Sequence, residues 1–430
     1  NCYILSMNQK IYNLLRWSEK YTQTDMVYLI RGGFWLTLEQ GITSLAGILL
    51  AVAFANLVPK ETYGAYRYVL SLVGILSVFT LSGMNTAIAR AVARGSEGML
   101  APAFKTRLAW GIIGGIASLG AAGFYFYRGD ITLTFCFLIA AFFLPLMDSL
   151  TLYESFWEGK KLFKTRAAYN IFIRVFSVLF LVATLFLTKN LFLILLAYFC
   201  SYTLFRFICF WIAIRKAVPC QKQDSETISY GKHLSLMNVM GVLGSQLDKI
   251  LLWHFLGPVA LASYVLAITP VDHIANLFKN IFPLSLPKFS QQSLETIQAT
   301  LFKKIAKLFL FGACFIGLYV ILAPWIYKLF FPIYLEAVPY SQFYTIVTLL
   351  MIPQIPLLAV LSAQMKKKEL YIVKFTSPAL RIALVFILLP LYGIWGAILT
   401  IIFTQAINLA LLLFFLRKQR QVSNPSLLLS

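Results

Sequence analysis

Asp248 and Lys249 lie in the middle of a long apolar stretch, GSQLDKILLWH, which runs from Gly244 to His254. A charged side chain is costly within a membrane-crossing segment, and there it faces a bundle interior or a water-filled cavity. A carboxylate in such a place can bind a proton or a cation, and a basic side chain can bind a phosphate. The other charged residues in apolar stretches therefore indicate which chemistry the chain can perform.

Basic residues outnumber acidic ones in these stretches. The basic residues are Arg67, Arg174, Arg206, Lys249, Lys279 and Arg381, and the acidic ones are Glu39, Asp148, Asp248 and Asp272. A surplus of buried positive charge requires an anionic partner, which a cavity for a phosphorylated substrate would supply. The alternative for any single residue is helix–helix hydrogen bonding or a buried ion pair, for instance of Asp248 with Lys249 or Lys279.

Helical spacing gives several of these charges polar neighbours, because residues three or four apart share a face. The clearest polar faces are Glu39, Gln40, Thr43 and Ser44; Asn170, Arg174 and Ser177; Asn238, Gly241, Ser245 and Asp248; and Thr269, Asp272, His273, Asn276 and Lys279. Since these faces come from both halves of the chain, we expect them to converge on a common interior.

The apolar stretches predict an all-α polytopic membrane protein. The chain has 430 residues, of which 60% are hydrophobic and 12% charged, and its mean hydropathy is +0.79. A helix needs about 20 apolar residues to cross a bilayer, and about 12 stretches satisfy this. They are 33–55, 65–88, 108–127, 131–150, 167–187, 191–214, 231–256, 258–286, 305–331, 341–363, 371–391 and 394–416.

Lysine and arginine are distributed unequally between the loops that join these spans. Lys60, Arg128, Lys189 and Lys328 fall on one side, here called the sparse side, and the great majority fall on the other, the basic side. Because basic loops stay in the cytosol, the basic side and both termini are predicted to be cytosolic. Orientation and contact with anionic lipid account for most of the net charge of +21 without a nucleic-acid partner.

The spans divide into two six-helix halves of the same orientation. The predicted parts are a cytosolic N-terminal segment (1–32), an N-terminal half (33–214), a cytosolic linker (215–229), a C-terminal half (230–416) and a cytosolic tail (417–430). Such halves are related by an axis along the membrane normal. The turns at 57–66 and 256–264 support a repeat, since each has an apolar residue, a proline, small residues and then a tyrosine.

The sequence contains no motif that indicates an enzyme or a cofactor. The cysteines have no disulfide or metal spacing, the histidines form no HExxH motif, and there is no GxxxxGK phosphate loop. The predicted outer loops are also too short for the catalytic groups of a polysaccharide polymerase or ligase. We therefore expect neither catalytic residues nor a metal or cofactor.

The stretch LDKILLWHFLGPVALASYVLA, at 247–267, resembles the seventh and eighth spans of Wzx-type oligosaccharide and polysaccharide flippases. These belong to the multidrug/oligosaccharidyl-lipid/polysaccharide (MOP) exporter superfamily. In them an aspartate late in the helix precedes an apolar run, a Leu-Gly turn and a small residue before tyrosine. YGAY at 63–66 and SGMNTAIAR at 82–90 resemble the family's first hairpin. Ala262 and Ser263 depart from the pattern, because a glycine commonly precedes the tyrosine.

The resemblance implies a V-shaped bundle that works by alternating access in the bacterial cytoplasmic (inner) membrane. It implies that a polyprenyl-diphosphate-linked oligosaccharide moves from the cytosolic to the outer leaflet, for the assembly of O-antigen, capsule or exopolysaccharide. The implied partners are this anionic lipid-linked glycan, membrane lipids, a polysaccharide polymerase and glycosyltransferases.

The basic residues within the spans form the predicted substrate cleft: Arg174, Arg206, Lys249, Lys279 and Arg381. Arg174, Arg206 and Lys279 would bind the diphosphate from the cytosolic side. Lys249 and Arg381, nearer the outer side, would then receive it.

The acidic residues Glu39, Asp248 and Asp272 are candidates for binding a coupling proton or cation, with a plain ion pair as the alternative for each. The alternative function is a cation-coupled multidrug exporter of the same superfamily. Such a protein needs an acidic or apolar cavity, so the surplus of basic residues argues against it.

Overall fold

The structure is a computed structural model that describes residues 26–218, 225–279, 294–364 and 367–423. Several sequence predictions lie wholly or partly outside these ranges. They concern the start of the N-terminal segment (1–25), part of the linker (219–224), the end of the eighth span (280–286) and the end of the tail (424–430).

The described residues form long helices joined by short turns. In chain order they are α1 (Met26–Leu57), α2 (Lys60–Leu76), α3 (Met84–Ala93), α4 (Leu100–Tyr127), α5 (Ile131–Ser149), α6 (Leu152–Gly159), α7 (Phe163–Leu187), α8 (Leu191–Lys216), α9 (Ser225–Lys279), α10 (Leu294–Phe330), α11 (Val338–Ala363), α12 (Lys367–Tyr392) and α13 (Ile394–Ser423). Short 3-10 turns cover Ser77–Thr80, Glu97–Met99 and Pro332–Ala337.

The longest helix, α9, contains two membrane crossings. Its backbone breaks at Gly257, where φ is 81° and ψ is −176°, a conformation that is essentially restricted to glycine. Pro258 follows and has no N–H to donate, so the chain turns here. We call residues 225–256 the first arm of α9 and residues 258–279 its second arm.

The prediction of about twelve membrane-spanning helices is confirmed. In the described ranges, 11 helices are long and apolar enough to cross a membrane, and α9 supplies two crossings because of its break. The chain is therefore a multi-pass membrane protein, with α1 to α8 in its N-terminal half and α9 to α13 in its C-terminal half.

The second predicted span, 65–88, is divided between two helices. α2 ends at Leu76, a 3-10 turn follows, and Leu81 adopts a left-handed conformation with φ of 56°. The backbone N–H of Gly83 then donates to the Ser235 hydroxyl on the first arm of α9, at 3.0 Å. A contact between the two halves thus stabilises the start of α3, which hydrophobicity alone does not reveal.

The two halves are joined by a continuous seam, in which α2 and α3 pack along α9. Near the sparse side, a Cβ added to Gly64 would lie 2.0 Å from the carbonyl oxygen of Pro258. Further along, the rings of Tyr68 and Trp253 stack with centroids 4.5 Å apart. The turns 57–66 and 256–264, which resemble each other in sequence, are therefore neighbours across the seam.

Replacing Gly64 by alanine is expected to destabilise the folded protein. The new methyl group would overlap the Pro258 backbone, and overpacking of this kind typically costs about 1–3 kcal/mol. The thermal unfolding midpoint of G64A in detergent should therefore fall. G120A is the matched control, because a Cβ at that helical position meets nothing within 4 Å. An equal midpoint for the two variants would contradict the close packing of the seam.

Candidate functional site

A cavity of about 290 Å³ lies between the two halves. Its lining comes from α1, α2, α7 and α8 of the N-terminal half and from the second arm of α9. The lining residues are Gly47, Leu50, Ala51, Phe54, Tyr63, Tyr66, Arg67, Leu70, Arg174, Tyr198, Thr269, Asp272, His273 and Asn276. The convergence of polar faces expected from the sequence is therefore found for α7 and the second arm of α9.

The cavity lies near the middle of the membrane. At about 1.5 Å per residue, Arg174 is ~16 Å along α7 from its basic end, and Arg67 is ~10 Å along α2 from its sparse end. The hydrocarbon core is about 30 Å thick, so Arg174 lies near its middle and Arg67 between the middle and the sparse side. Substrate sites of repeat-built transporters lie at this depth, at the interface between the repeats.

Arg174 is held in the N-terminal wall of the cavity. Its Nη1 donates to the hydroxyl of Tyr202 on α8 at 2.7 Å. If Gly47 carried a Cβ, that atom would lie 3.1 Å from Arg174 Nη2 and 3.0 Å from the His273 ring of the other half. The absence of a side chain at Gly47 thus lets an arginine of one half and a histidine of the other approach the same point of α1.

The C-terminal wall supplies polar groups from one face of the second arm of α9. Asp272 accepts a hydrogen bond from the Tyr344 hydroxyl at 3.0 Å. The buried Nδ1 of His273 has no hydrogen-bond partner in the described part of the chain. Lys279, nearly two turns beyond His273, is exposed and donates to Asn276 Oδ1 at 2.8 Å. Because Asn276 lines the cavity, Lys279 lies beside its basic-side end.

The charged lining of the cavity is net positive. Arg67 and Arg174 carry two positive charges, and Asp272 carries the one negative charge among the lining residues. An aromatic wall adjoins them, in which the rings of Phe54 and Tyr66 stack with centroids 4.5 Å apart. The site combines guanidinium groups, which bind phosphates bidentately, with flat apolar surface.

Arg206 lies outside this cavity, within the N-terminal half. Its Nη1 donates to the Met147 carbonyl at 2.9 Å and lies 4.0 Å from an Asp148 carboxylate oxygen. Its guanidinium group also lies over the Tyr202 ring, 5.6 Å from the centroid. In this conformation Arg206 connects α8 to α5 and supports the tyrosine that holds Arg174.

Arg381 and Asp248 form an ion pair inside the C-terminal half. Arg381 Nη2 lies 3.0 Å from Asp248 Oδ2, and the Tyr264 hydroxyl donates to the same oxygen at 2.6 Å. The backbone N–H of Lys249 donates to Oδ1 at 2.9 Å. With a residue exposure of 2%, Asp248 is sealed from water and already has three donors. The basic partner of Asp248 is thus Arg381, from a helix distant in sequence.

Lys249 points toward the seam between the halves. Its Nζ donates to the Ser245 carbonyl at 3.2 Å and to Gln246 Oε1 at 3.1 Å. It is close enough to Arg67 and Asp272 of the cavity for electrostatic interaction. Lys249 therefore adds positive charge beside the cavity, although it does not line it.

Glu39 lies in a second polar cluster of the N-terminal half. Its Oε1 accepts from Asn170 Nδ2 at 2.7 Å, and the Tyr153 hydroxyl donates to Asn170 Oδ1 at 2.6 Å. The other carboxylate oxygen, Oε2, is buried and has no hydrogen-bond partner among the described residues. Glu39 thus keeps a free acceptor.

In the described ranges no group of three or more His, Cys, Asp or Glu residues could hold a metal ion.

Arg67 lines the cavity, although it is not among the cleft residues predicted from the sequence. It lies near the sparse end of its span, where a long side chain can extend to the membrane surface. The signal that identifies it is helical spacing: Tyr63, Tyr66, Arg67 and Leu70 share one face of α2, and all four line the cavity.

This arrangement is that of a membrane transporter, with two helical halves and a polar cavity between them. The family described as "Polysaccharide biosynthesis protein" matches residues 29–293, which is more than half of the chain. The chain therefore belongs to the polysaccharide biosynthesis protein family, as its resemblance to Wzx-type flippases predicts. A comparison with curated protein sequences found no significant match.

Solved structures of the MOP superfamily share the fold. The lipid II flippase MurJ in its inward closed conformation aligns with a TM-score of 0.66 at 14% identity, over 88% of this chain and 87% of that chain. A MATE protein in complex with MaD5 aligns with a TM-score of 0.64 at 12% identity, over 91% and 95%. The MOP superfamily transporter from Pyrococcus furiosus, described as having a binding pocket of reverse polarity, aligns with a TM-score of 0.61 at 12% identity, over 91% and 95%.

Removing one partner of the Asp248–Arg381 pair is expected to destabilise the protein. D248A leaves the guanidinium group of Arg381 uncompensated, and breaking a buried pair in this way costs about 3–5 kcal/mol. The double variant D248A/R381L removes both charges and should recover much of this loss. The measurement is the unfolding midpoint in detergent. R174A is the matched control and should change it less, because its guanidinium group borders a cavity. Equal midpoints for D248A and R174A would contradict the assignment.

Proposed function

We propose that this protein is a flippase that carries a polyprenyl-diphosphate-linked oligosaccharide from the cytosolic to the outer leaflet by alternating access. The supporting observation is the net positive cavity between the halves, near mid-membrane, with Arg67 and Arg174 in its wall. A diphosphate is an anionic group that two guanidinium groups in one cavity can bind well. Family membership supports the role in polysaccharide assembly.

The basic residues divide into two sets in this proposal. Arg67 and Arg174 bind the diphosphate, Lys279 attracts it at the basic-side end of the cavity, and Lys249 lies beside it along the seam. Arg206 and Arg381 hydrogen-bond or pair within single halves and hold the framework. Their direct contact with substrate would require another conformation.

The polyprenyl tail remains in the bilayer while the headgroup occupies the cavity. Packing of α2 and α3 against α9 closes one side of the interface. We place the exit of the tail between α1 and the second arm of α9. In this conformation the halves touch there at Gly47 and His273, so the exit of the tail requires them to separate.

The orientation and setting of this proposal follow from the loop charges and the resemblance. The basic side and both termini face the cytosol, and the membrane is the bacterial cytoplasmic (inner) membrane. The enzymes that assemble and polymerise the glycan, glycosyltransferases and a polysaccharide polymerase, are the proposed partners. The glycan itself belongs to a cell-surface polysaccharide such as O-antigen, capsule or exopolysaccharide.

A cation-coupled multidrug exporter is the second candidate. The observation that favours it is the Asp272 carboxylate beside an aromatic wall, a combination that suits an organic cation. The two arginines in the same cavity oppose it.

R67A and R174A are expected to block flipping. Loss of a charge-assisted hydrogen bond to the diphosphate costs about 1.5–3 kcal/mol, or roughly a tenfold or greater loss of apparent affinity. The measurement is the leaflet location of polyprenyl-linked oligosaccharide in cells that lack the native protein. Wild type should restore outer-leaflet material, and both variants should leave it on the cytosolic face.

R128A is the matched control, because Arg128 lies in a sparse-side turn over the Phe124 ring and away from the cavity. Normal flipping by R67A and R174A at normal protein levels would reject the diphosphate site. Unchanged lipid-linked glycan in cells lacking the protein, with altered resistance to cationic drugs, would favour the exporter instead.

Glu39 is the proposed coupling group of the flippase. Its free Oε2 can take a proton or contribute to a cation site, whereas the oxygens of Asp248 already have three donors. Asp272 has one tyrosine donor and borders the substrate cavity, so it is the weaker candidate.

E39Q is expected to make flipping insensitive to an imposed ion gradient. Glutamine can still accept from Asn170, but it cannot take up a proton and has no negative charge to bind a cation, so the coupling, typically about 5–150-fold in binding, should be lost. The measurement is flipping in proteoliposomes with and without a proton or sodium gradient. E97Q is the control, because Glu97 pairs with Lys160 at the basic side. A gradient response retained by E39Q would exclude Glu39.

A further inference from the structure

An ion pair connects the two halves at the sparse side. Lys60 is the first residue of α2 in the N-terminal half, and its Nζ lies 2.6 Å from Oε1 of Glu336. Glu336 belongs to the 3-10 turn Pro332–Ala337 of the C-terminal half. The pair therefore lies across the end of the interface that faces away from the basic loops.

Within the described ranges, the other ion pairs each stay inside one half. They are Lys160–Glu97, Arg166–Glu158, Arg206–Asp148 and Arg381–Asp248. The distinction matters because a pair inside one half can persist while the halves move, whereas a pair between the halves breaks when the two surfaces that carry it separate. Lys60–Glu336 is the ion pair in this part of the chain that must break if the sparse side opens.

Neighbouring groups hold both partners of this pair in place. The Ser263 hydroxyl donates to Oε1 of Glu336 at 2.9 Å. The Lys60 ammonium also lies 5.0 Å from the ring centroid of Tyr334, within cation–π range. Because Ser263 and Tyr334 both belong to the C-terminal half, that half presents a ready-made site for the lysine of the other half.

A second hydrogen bond reinforces the same closure. Asn56 Nδ2, near the end of α1, donates to the Phe330 carbonyl at the end of α10 at 2.8 Å. Asn56 and Lys60 lie on either side of the α1–α2 turn. Their contacts therefore connect this turn of the N-terminal half to the end of α10 and the 3-10 turn that follows it.

Water reaches the ion pair, which makes the contact reversible. The side chains of Lys60 and Glu336 are 21% and 53% exposed, respectively. Exposed ion pairs contribute little net stability, so solvent can replace the contact at small cost. By contrast, the carboxylate of the Asp248–Arg381 pair is buried and has the properties of a permanent connection.

We propose that Lys60 and Glu336 form a latch that keeps the sparse side closed and that breaks when the cavity opens to that side. The proposal rests on the alternating access of the proposed function, but not on the identity of the substrate. Loss of the latch should increase the population open to the sparse side without changing the cavity itself.

The test measures access to the cavity from the sparse side. In a background with the native cysteines replaced, T269C places a reporter thiol in the cavity lining. A membrane-impermeant maleimide is added to the outside of intact cells, where the proposal places the sparse side. K60Q and E336Q should each raise the labelling rate by up to about fivefold, because an exposed pair contributes at most about 1 kcal/mol.

The charge-swapped variant K60E/E336K re-forms the pair with opposite polarity and should return labelling toward the wild-type rate. K189A is the matched control, because Lys189 lies on the sparse side and forms no ion pair within the described ranges. Labelling that is unchanged in both single variants overturns the latch. So does labelling of the swapped variant that equals the rate of the single variants.

A second measurement does not depend on the single variants folding normally. In K60C/E336C, a short bifunctional thiol reagent should join the halves and reduce labelling of the cavity below the wild-type rate. Cross-linking that leaves labelling unchanged also overturns the proposal. Neither measurement uses lipid-linked glycan. A thiol-labelling result can therefore reject the latch without bearing on the flippase proposal, which is tested by the leaflet location of the glycan.

Discussion

The cost of an unpaired charge inside a membrane governs the arrangement of this protein. Each charged side chain in a span must find a partner of opposite charge, hydrogen-bond donors or acceptors, or water. Asp248 is the fully partnered case, since Arg381, Tyr264 and a backbone N–H surround its carboxylate. Arg174 is the opposite case, since one tyrosine accepts from it and the rest of its guanidinium group borders a cavity. The cavity is therefore the place where a charged side chain of the protein keeps donors that a ligand can use.

Hydrophobicity predicts the helices of this chain well, because a span needs little more than sufficient apolar length. The break at Gly257 was also expected from the paired turns, since glycine and proline together favour a turn. The sequence does not predict the division of 65–88 into α2 and α3, because this division depends on a contact between Gly83 and Ser235, which are far apart in sequence.

The site was only partly predictable. Helical spacing correctly placed Arg174, Asp272 and His273 on polar faces, and these faces meet at the cavity. Spacing within one helix cannot tell which helix lies opposite, so the partner of Arg381 and the position of Arg206 became known from packing alone. Arg67 lies near the end of its span, and that position does not decide whether a long side chain points toward the membrane surface or toward the cavity.

The seam of α2 and α3 against α9 has a mechanical consequence. At Gly83 and Gly231, toward the basic side, an added Cβ would overlap atoms of the opposite helix, so the seam is tightly packed there, partly backbone against backbone. Such a contact permits a small rotation about its own length but hardly any separation. If the halves rotate about this line, the points farthest from it move most. The size of the opening then depends on distance from the seam, so a small change of angle can admit a bulky headgroup.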